Sequence, residues 1–506
     1  MKKHSLGGER RTFNRLLAQN HYLCNNETKR RNRPMNYLGQ LFWCLALLCC
    51  LSASAVTHER AQCAIDAFAA DSALRHASIT VAVGDIAGDS LIASHNADLS
   101  CITASTMKAV TSSAALQLLG PDFTFKTKVR LKGQRKKDKF KGEMVIVGAC
   151  DPTLGSRYFK EQPNIVDEIL STLQSLGIKK VEGKVAVDDS LVPYPATNGW
   201  WDVGDLATDY GMGIHALNYC DNLVLLQFKG VNGAVQDLKL EPAVPGVKML
   251  TRLNGRTSDN IDVRLDEGAN ALVLSGSVAN QDYALAVANP APAAMLVDSL
   301  LHALHGAGIK FKPKDKILSK TKNVDQVEFE HSSPPLKDII TSLLDRSDNM
   351  MTEGLLRAIA IYTGHEGTAA QGTAMVDSLW QSQGIDTRSL FQYDGSGLAR
   401  ANKASGRFFV QLLAHAAKHP ADDVCLHQLM PAAGKRMGKR LAESRLSHDL
   451  VVKSGSMTQV QCFVGYYPAS KPEYTFAALV NNWNGSRAAL KEKIGMMLMR
   501  IFDADQ

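Results

Sequence analysis

The sequence predicts a multi-domain α/β protein in which one α/β domain is split by a large β-rich insertion. Three observations lead there. The chain has 506 residues, more than one hydrophobic core ordinarily serves. Its hydrophobic fraction of 45 % and charged fraction of 21 % are globular values that exclude disorder, collagen and coiled coil as the main class. A mixed helix-and-strand texture at the front returns at the back, and between them residues 126–334 alternate mostly like strands.

The first segment, residues 1–55, reads as a leader. Residues 1–34 hold nine Lys/Arg and two Asp/Glu, which is the whole +7 excess of the chain. The body is therefore near neutral, and no nucleic-acid partner is expected. Residues 38–51 (LGQLFWCLALLCCL) are apolar but too short to span a bilayer comfortably. Lys29, Arg30, Arg31 and Arg33 precede them and Ala53-Ser54-Ala55 follows. That order of charge, apolar run and small-x-small site predicts a secretory signal peptide cut near Ala55. Export, with at most peripheral membrane association, follows; an uncleaved anchor is the alternative, and Met35 offers a second start. After Ala55 six of ten cysteines remain, Cys63, Cys101, Cys150, Cys220, Cys425 and Cys462. An exported protein can pair them as disulfides, and the sequence does not choose a pairing. No CxxC, HExxH or Cys/His cluster with zinc spacing occurs, so no metal site is expected.

The elements follow in order. Residues 79–83 and 90–93 read as strands around the turn Ala87-Gly88-Asp89. Residues 103–119 read as a helix, with Met107, Val110, Ala114, Ala115 and Leu118 at helical spacing and Gly120-Pro121 as its stop. In the insertion, 127–131 and 143–147 flank a basic run, 134–141, read as a solvated hairpin tip. Further strands are expected at 184–188, 222–228, 247–251, 261–265, 271–278 and 283–288, with helices at 165–176 and 293–306. From 335 helices return at 336–344, 348–364, 372–382 and 406–415. Strands at 450–453, 461–467 and 475–481 and an amphipathic helix at 487–502 close the chain. The expected division is 1–55 leader, 56–125 plus 335–506 one domain, and 126–334 an inserted β-rich region of two small domains.

Three short clusters carry chemistry. Ser105-Thr106-Met107-Lys108 places a serine and a lysine three apart on one helix face. A serine hydroxyl needs a nearby base, and a lysine serves as one when burial or cationic neighbours lower its pKa. Ser347-Asp348-Asn349 stands at a helix start, where, taken alone, a plain N-cap is the better explanation. Lys453-Ser454-Gly455, followed by Ser456, ends a strand-like run, where a cation and a hydroxyl can hold a carboxylate and glycine admits a substrate backbone. Each alone is weak. In the order SxxK, SxN, K[ST]G they form the motif set of penicillin-binding proteins and serine β-lactamases.

The chain is similar to a narrower group, the S13 peptidases, over roughly residues 64–502. The 242-residue gap between Ser105 and Ser347 carries the resemblance, with Asp151-Pro152-Thr153-Leu154, the Tyr210-to-Asn222 string and Asp394-Gly395-Ser396-Gly397-Leu398. Cys150 stands where that family usually has glycine, and Ser454 where threonine is commoner.

The resemblance implies an antiparallel sheet flanked by helices and a D-alanyl-D-alanine carboxypeptidase/endopeptidase of the bacterial periplasm. Its substrate would be a peptidoglycan stem peptide, β-lactams would be covalent inhibitors, and no cofactor would be needed. It implies Ser105 as the acylated residue, Lys108 as its base, Ser347 as proton relay, Asn349 as orienting group and Lys453 as electrostatic anchor. Ser454 would receive the terminal carboxylate beside Gly455, and the Ser105 and Ser456 N–H groups would form the oxyanion hole. A β-lactamase or esterase on the same scaffold is the alternative; the oligomeric state is left open.

Overall fold

The computed structural model describes residues 56–314 and 325–503. The expected leader and the expected cleavage position near Ala55 lie outside the described residues. The front of the chain forms α1 (His58–Ala69), β1 (Ser78–Asp85), β2 (Ser90–His95) and α2 (Met107–Leu119). The back forms α3 (Leu336–Arg346), α4 (Asn349–Tyr362), α5 (Ala369–Ser382), α6 (Gly406–Lys418), β3 (Val451–Met457), β4 (Val460–Tyr467), β5 (Tyr474–Asn481) and α7 (Arg487–Phe502).

Front and back make one five-stranded sheet in the order β3-β4-β5-β1-β2, antiparallel throughout. Side chains alternate across it. Ile79, Val81 and Val83 of β1 and Phe476, Ala478 and Val480 of β5 join Phe463 under α1 and α7. Ala82, Ala477, Leu479, Cys462 and Val464 face the opposite layer, which includes α2, α3, α4 and α6. Both faces are therefore dry, and β4 and β5 read as near-continuous apolar runs, unlike an antiparallel sheet with a wet face.

The insertion enters and leaves at one place. Its first strand, Lys126–Lys136, pairs antiparallel with its last, Asp325–Ser332, with Lys126 opposite Ser332. The Phe125 and Ser333 backbones bond across the junction at 3.0 Å. Adjacent ends let a long segment interrupt a domain without pulling it apart. Between them lie a five-stranded sheet and two three-stranded sheets, whose apolar side chains share one core with helices Ile165–Ser175 and Pro292–Gly306.

The structure departs from the expected elements in several places, and α1 is a helix that had no sequence expectation. The helix predicted from 103 divides into a 3-10 turn, Ala104–Thr106, followed by α2, because Ala104 takes a left-handed φ of 43° that no α-helix continues. The basic run is strand almost throughout, Lys126–Lys136 pairing with Lys139–Val147 around a turn at Lys137 and Asp138. Strands Ala234–Glu241, Lys310–Pro313 and Asp325–Ser332 had no sequence expectation. All six cysteines of the described residues are free thiols; Cys101, Cys150 and Cys462 are buried and fill core space as small apolar groups.

One contact ties the sheet to the segment before Ser105. Buried Asn481, at the end of β5, accepts from Ile102 N at 2.8 Å and donates to Ile102 O at 3.2 Å. Asn481→Ala leaves the Ile102 N–H unpaired and the Ile102 carbonyl with only the Cys462 Sγ contact at 3.3 Å, and is expected to destabilise the protein by about 1–3 kcal/mol. Urea unfolding measures it, and a change below about 0.5 kcal/mol would show that the clamp is dispensable.

Candidate active site

The three sequence clusters meet in one cleft of about 480 Å³, whose walls include Ser105, Ser347, Asn349 and Ser456. Ser105 sits in the 3-10 turn that leads into α2. Lys108 follows one helical turn on and is fully buried. Its Nζ donates to Ser105 Oγ at 3.1 Å, Asn349 Oδ1 at 2.6 Å and Ser396 O at 2.7 Å. Burial pulls the Lys108 ammonium down to about 8, against the carboxylates of Asp394, Glu353 and Asp348, which hold it up.

Both explanations of Ser347-Asp348-Asn349 hold at once. Asp348 is the N-cap of α4, accepting from Met351 N at 2.9 Å. Ser347, at φ 62°, closes α3 in the left-handed region, which turns its hydroxyl to accept from Lys453 Nζ at 2.9 Å. Asn349 opens α4, and its Nδ2 donates to Tyr210 O of the insertion at 2.8 Å. The amide is thus fixed at both ends, Oδ1 toward the lysine and Nδ2 toward the inserted loop.

The third cluster lies on β3. Lys453 is buried there and also donates to Ser454 O at 2.8 Å. Burial, and then the charges of Lys108 and Arg436, push its ammonium well below the ordinary lysine range, opposed by Asp345. Ser454 is half-buried and Ser456 exposed toward the cleft. Gly455 lets β3 press against the serine turn: a Cβ there would lie 2.8 Å from Ser105 N and 2.7 Å from Thr103 O.

Sequence reasoning missed a fourth wall, although it noted the string Asp394 to Leu398. Buried Asp394 accepts from Gly397 N, Ala399 N, Asn402 Nδ2 and Trp201 Nε1 at 2.6–2.9 Å. Buried Glu353 of α4 accepts from Gly395 N and Ser396 N at 2.9 and 2.8 Å. Gly397, at φ 82°, brings this loop onto the serine turn, where a Cβ would lie 1.9 Å from Ala104 O. The insertion contributes Asp202, Asp205 and Tyr210 to the cleft, and Trp200 packs on Tyr393 with ring centroids 4.3 Å apart. Glycines at fixed offsets were the available signal for the loop; the partners of Glu353 and Asp394 had none.

A two-faced antiparallel sheet with this serine, two lysines and strand edge in one cleft is the architecture of the penicillin-binding proteins. The crystal structure of penicillin binding protein 4 (dacB) from Haemophilus influenzae matches it with a TM-score of 0.72 over 85 % of this chain and 98 % of that one. At 23 % identity that likeness is one of fold.

The chain belongs to the D-Ala-D-Ala carboxypeptidase 3 (S13) family, whose sequence profile matches residues 61–500. A D-alanyl-D-alanine carboxypeptidase of Actinomadura sp. (strain R39) is 26 % identical over 84 % of this chain and 81 % of its own length. D-alanyl-D-alanine carboxypeptidase DacB of H. influenzae is 25 % identical over 80 % and 85 %.

Gly397→Ala is expected to displace the serine turn and lower the rate of covalent labelling by penicillin about a hundredfold, since ångström-scale misplacement at a reacting group has that effect. Stopped-flow or gel labelling measures it; an unchanged rate would show that the loop yields and the turn does not depend on it.

Proposed function

We propose that the protein hydrolyses the D-Ala-D-Ala bond of peptidoglycan stem peptides by a serine acyl-enzyme mechanism, and that it also cuts peptide cross-links. The observation that carries this reading is the 3.1 Å contact between Lys108 Nζ and Ser105 Oγ inside a buried, acceptor-lined pocket.

In its neutral form the Lys108 amine takes the proton of Ser105 Oγ. The oxygen adds to the carbonyl carbon of the penultimate D-Ala. The oxyanion is received by the N–H groups of Ser105 and Ser456, at the helix start and the edge of β3. The C–N bond then breaks, with the leaving nitrogen protonated by Ser347 Oγ–H. That hydroxyl is restored through Lys453 Nζ, 2.9 Å away. The released product is D-alanine, or the partner strand in a cross-link. Lys108 passes the proton it took on to Lys453 through the solvent of the cleft, which restores both amines; water, deprotonated by Lys108 Nζ, then hydrolyses the ester, and that proton goes to the departing Ser105 Oγ.

A substrate ending in a carboxylate suits Lys453 and Ser454, two groups of a cleft in an otherwise near-neutral body. β-Lactams present the same carboxylate and acyl carbon and would acylate Ser105. We assign the protein to the periplasm after cleavage near Ala55; among the described residues no helix is long and apolar enough to cross a membrane. We also read 126–334 as an insertion of two small modules, supported by its separate five-stranded and three-stranded sheets, which pack on one shared core and bring Tyr210 to the site.

Intact-mass and peptide mass spectrometry after incubation with a penicillin tests the nucleophile. One adduct on the Ser105 peptide, absent in Ser105→Ala, is expected; an adduct that survives in Ser105→Ala would refute the mechanism. In the same preparation a chromogenic cephalosporin should be consumed stoichiometrically, whereas rapid turnover would mark a β-lactamase. Purified cross-linked muropeptides should lose both D-alanine and their cross-links; cross-links left intact would remove the endopeptidase part.

A further inference from the structure

Glu353 has no part in the chemistry above, yet it is fully buried one turn along α4 from Asn349, close to the lysine. Its Oε1 accepts from two consecutive backbone N–H groups, Gly395 and Ser396. Its other oxygen meets Arg357 Nη1 at 3.4 Å, and Arg357 in turn donates to Ala196 O of the insertion at 3.3 Å. Burial, and then the neighbouring Asp394 charge, raise the Glu353 carboxyl, while Arg357 and the Ser396 N–H oppose them.

Glu353 grips the two peptides that lead into the one that matters, 396–397, whose own Gly397 N–H is held by Asp394 Oδ1 at 2.7 Å. Ser396 O accepts from Lys108 Nζ at 2.7 Å. On the other flank Thr111 Oγ1 donates to Gly395 O at 2.8 Å, so the 395–396 turn is held from α2 and from α4.

The stereochemistry of an amine gives that arrangement a consequence. An ammonium has three N–H groups, and Lys108 finds three acceptors. The neutral amine has two N–H groups and one lone pair. Asn349 Oδ1 and Ser396 O are acceptors only, whereas Ser105 Oγ also donates. With both carbonyl-type oxygens fixed, the two N–H groups are spent on them and the lone pair falls toward Ser105 Oγ–H. If Ser396 O drifts away, the amine turns and the lone pair is no longer confined.

We propose that Glu353 is a positioning residue for acylation: by holding the Gly395 and Ser396 N–H groups it aims Ser396 O at Lys108 and thereby directs the lysine lone pair at Ser105. The proposal rests on the acyl-enzyme reading above and deepens it. Reach, not charge, is the property it needs. Glutamine keeps the reach and places a carbonyl oxygen where Oε1 stands; aspartate keeps the charge opposite Arg357 but falls one methylene short.

The test is acylation by a fluorescent penicillin as a function of its concentration, on Glu353→Gln and Glu353→Asp, below the melting temperature of each. Glu353→Gln should retain the maximal rate within about threefold and Glu353→Asp should lose about tenfold or more, as misplaced reacting groups do. The half-saturating concentration should stay nearly constant in both. Glu353→Asp reacting as fast as Glu353→Gln, or faster, would overturn the inference, because a role in charge or in stability alone favours the carboxylate. Thr111→Val provides a second arm if either variant fails to fold. It releases the same turn from α2 with little change of shape, and should slow maximal acylation; an unchanged rate would count against the proposal. Ser105→Ala separates the two levels. Labelling that persists there sinks the acyl-enzyme reading itself. A silent Ser105→Ala beside an unimpaired Glu353→Asp sinks only the role of Glu353.

Discussion

A lysine amine sealed away from water beside a serine hydroxyl is the constraint around which the site is built. An isolated buried ammonium is costly, and the protein offsets that by giving Lys108 three acceptors and nearby carboxylates. The offset is incomplete, and the amine is left able to lose its proton near neutrality. With a value of about 8, about a tenth of the molecules carry the free base at pH 7. Burial thus converts an ordinary cation into a usable base.

Holding that amine in place takes backbone from four distant parts of the chain. The serine turn, the α3–α4 junction, the edge of β3 and the 394–398 loop converge, and the close approaches are made where side chains are absent or the backbone is unusual. Gly455 and Gly397 admit neighbours that a Cβ would strike. Ala104 and Ser347 hold left-handed φ values that cost free energy and persist only because packing fixes them. The insertion is part of the same apparatus: Tyr210 O, Ala196 O and Trp201 Nε1 grip Asn349, Arg357 and Asp394.

Much of this was legible in the sequence, and the boundary of legibility is physical. Ser105 and Lys108 are three apart on a helical turn, so spacing alone predicts that they face each other. Near-continuous apolar runs marked β1, β4 and β5 because both faces of that sheet are dry. The strand Ala234–Glu241 escaped notice because most of its side chains are exposed or half-exposed, which leaves little apolar pattern. Ser396 O and Tyr210 O act through backbone carbonyls, and every residue has one, so no letter in the sequence marks them. Glu353 lies within a helical stretch where one acidic residue looks like surface, and only the fold shows that it is buried. Asn481 likewise reads as a strand end until its two bonds to Ile102 are seen.

The measurement that bears most directly on this account is the titration of Lys108 itself. Protein labelled with 13C at the lysine ε-carbon, assigned by comparison with Lys108→Met, can be followed by NMR across the alkaline range. The account predicts a midpoint near 8, so that the neutral amine accumulates as pH rises through that value. A midpoint at about 10.4 or above, the ordinary lysine value, would mean that the amine stays charged beside Ser105 and cannot be its base.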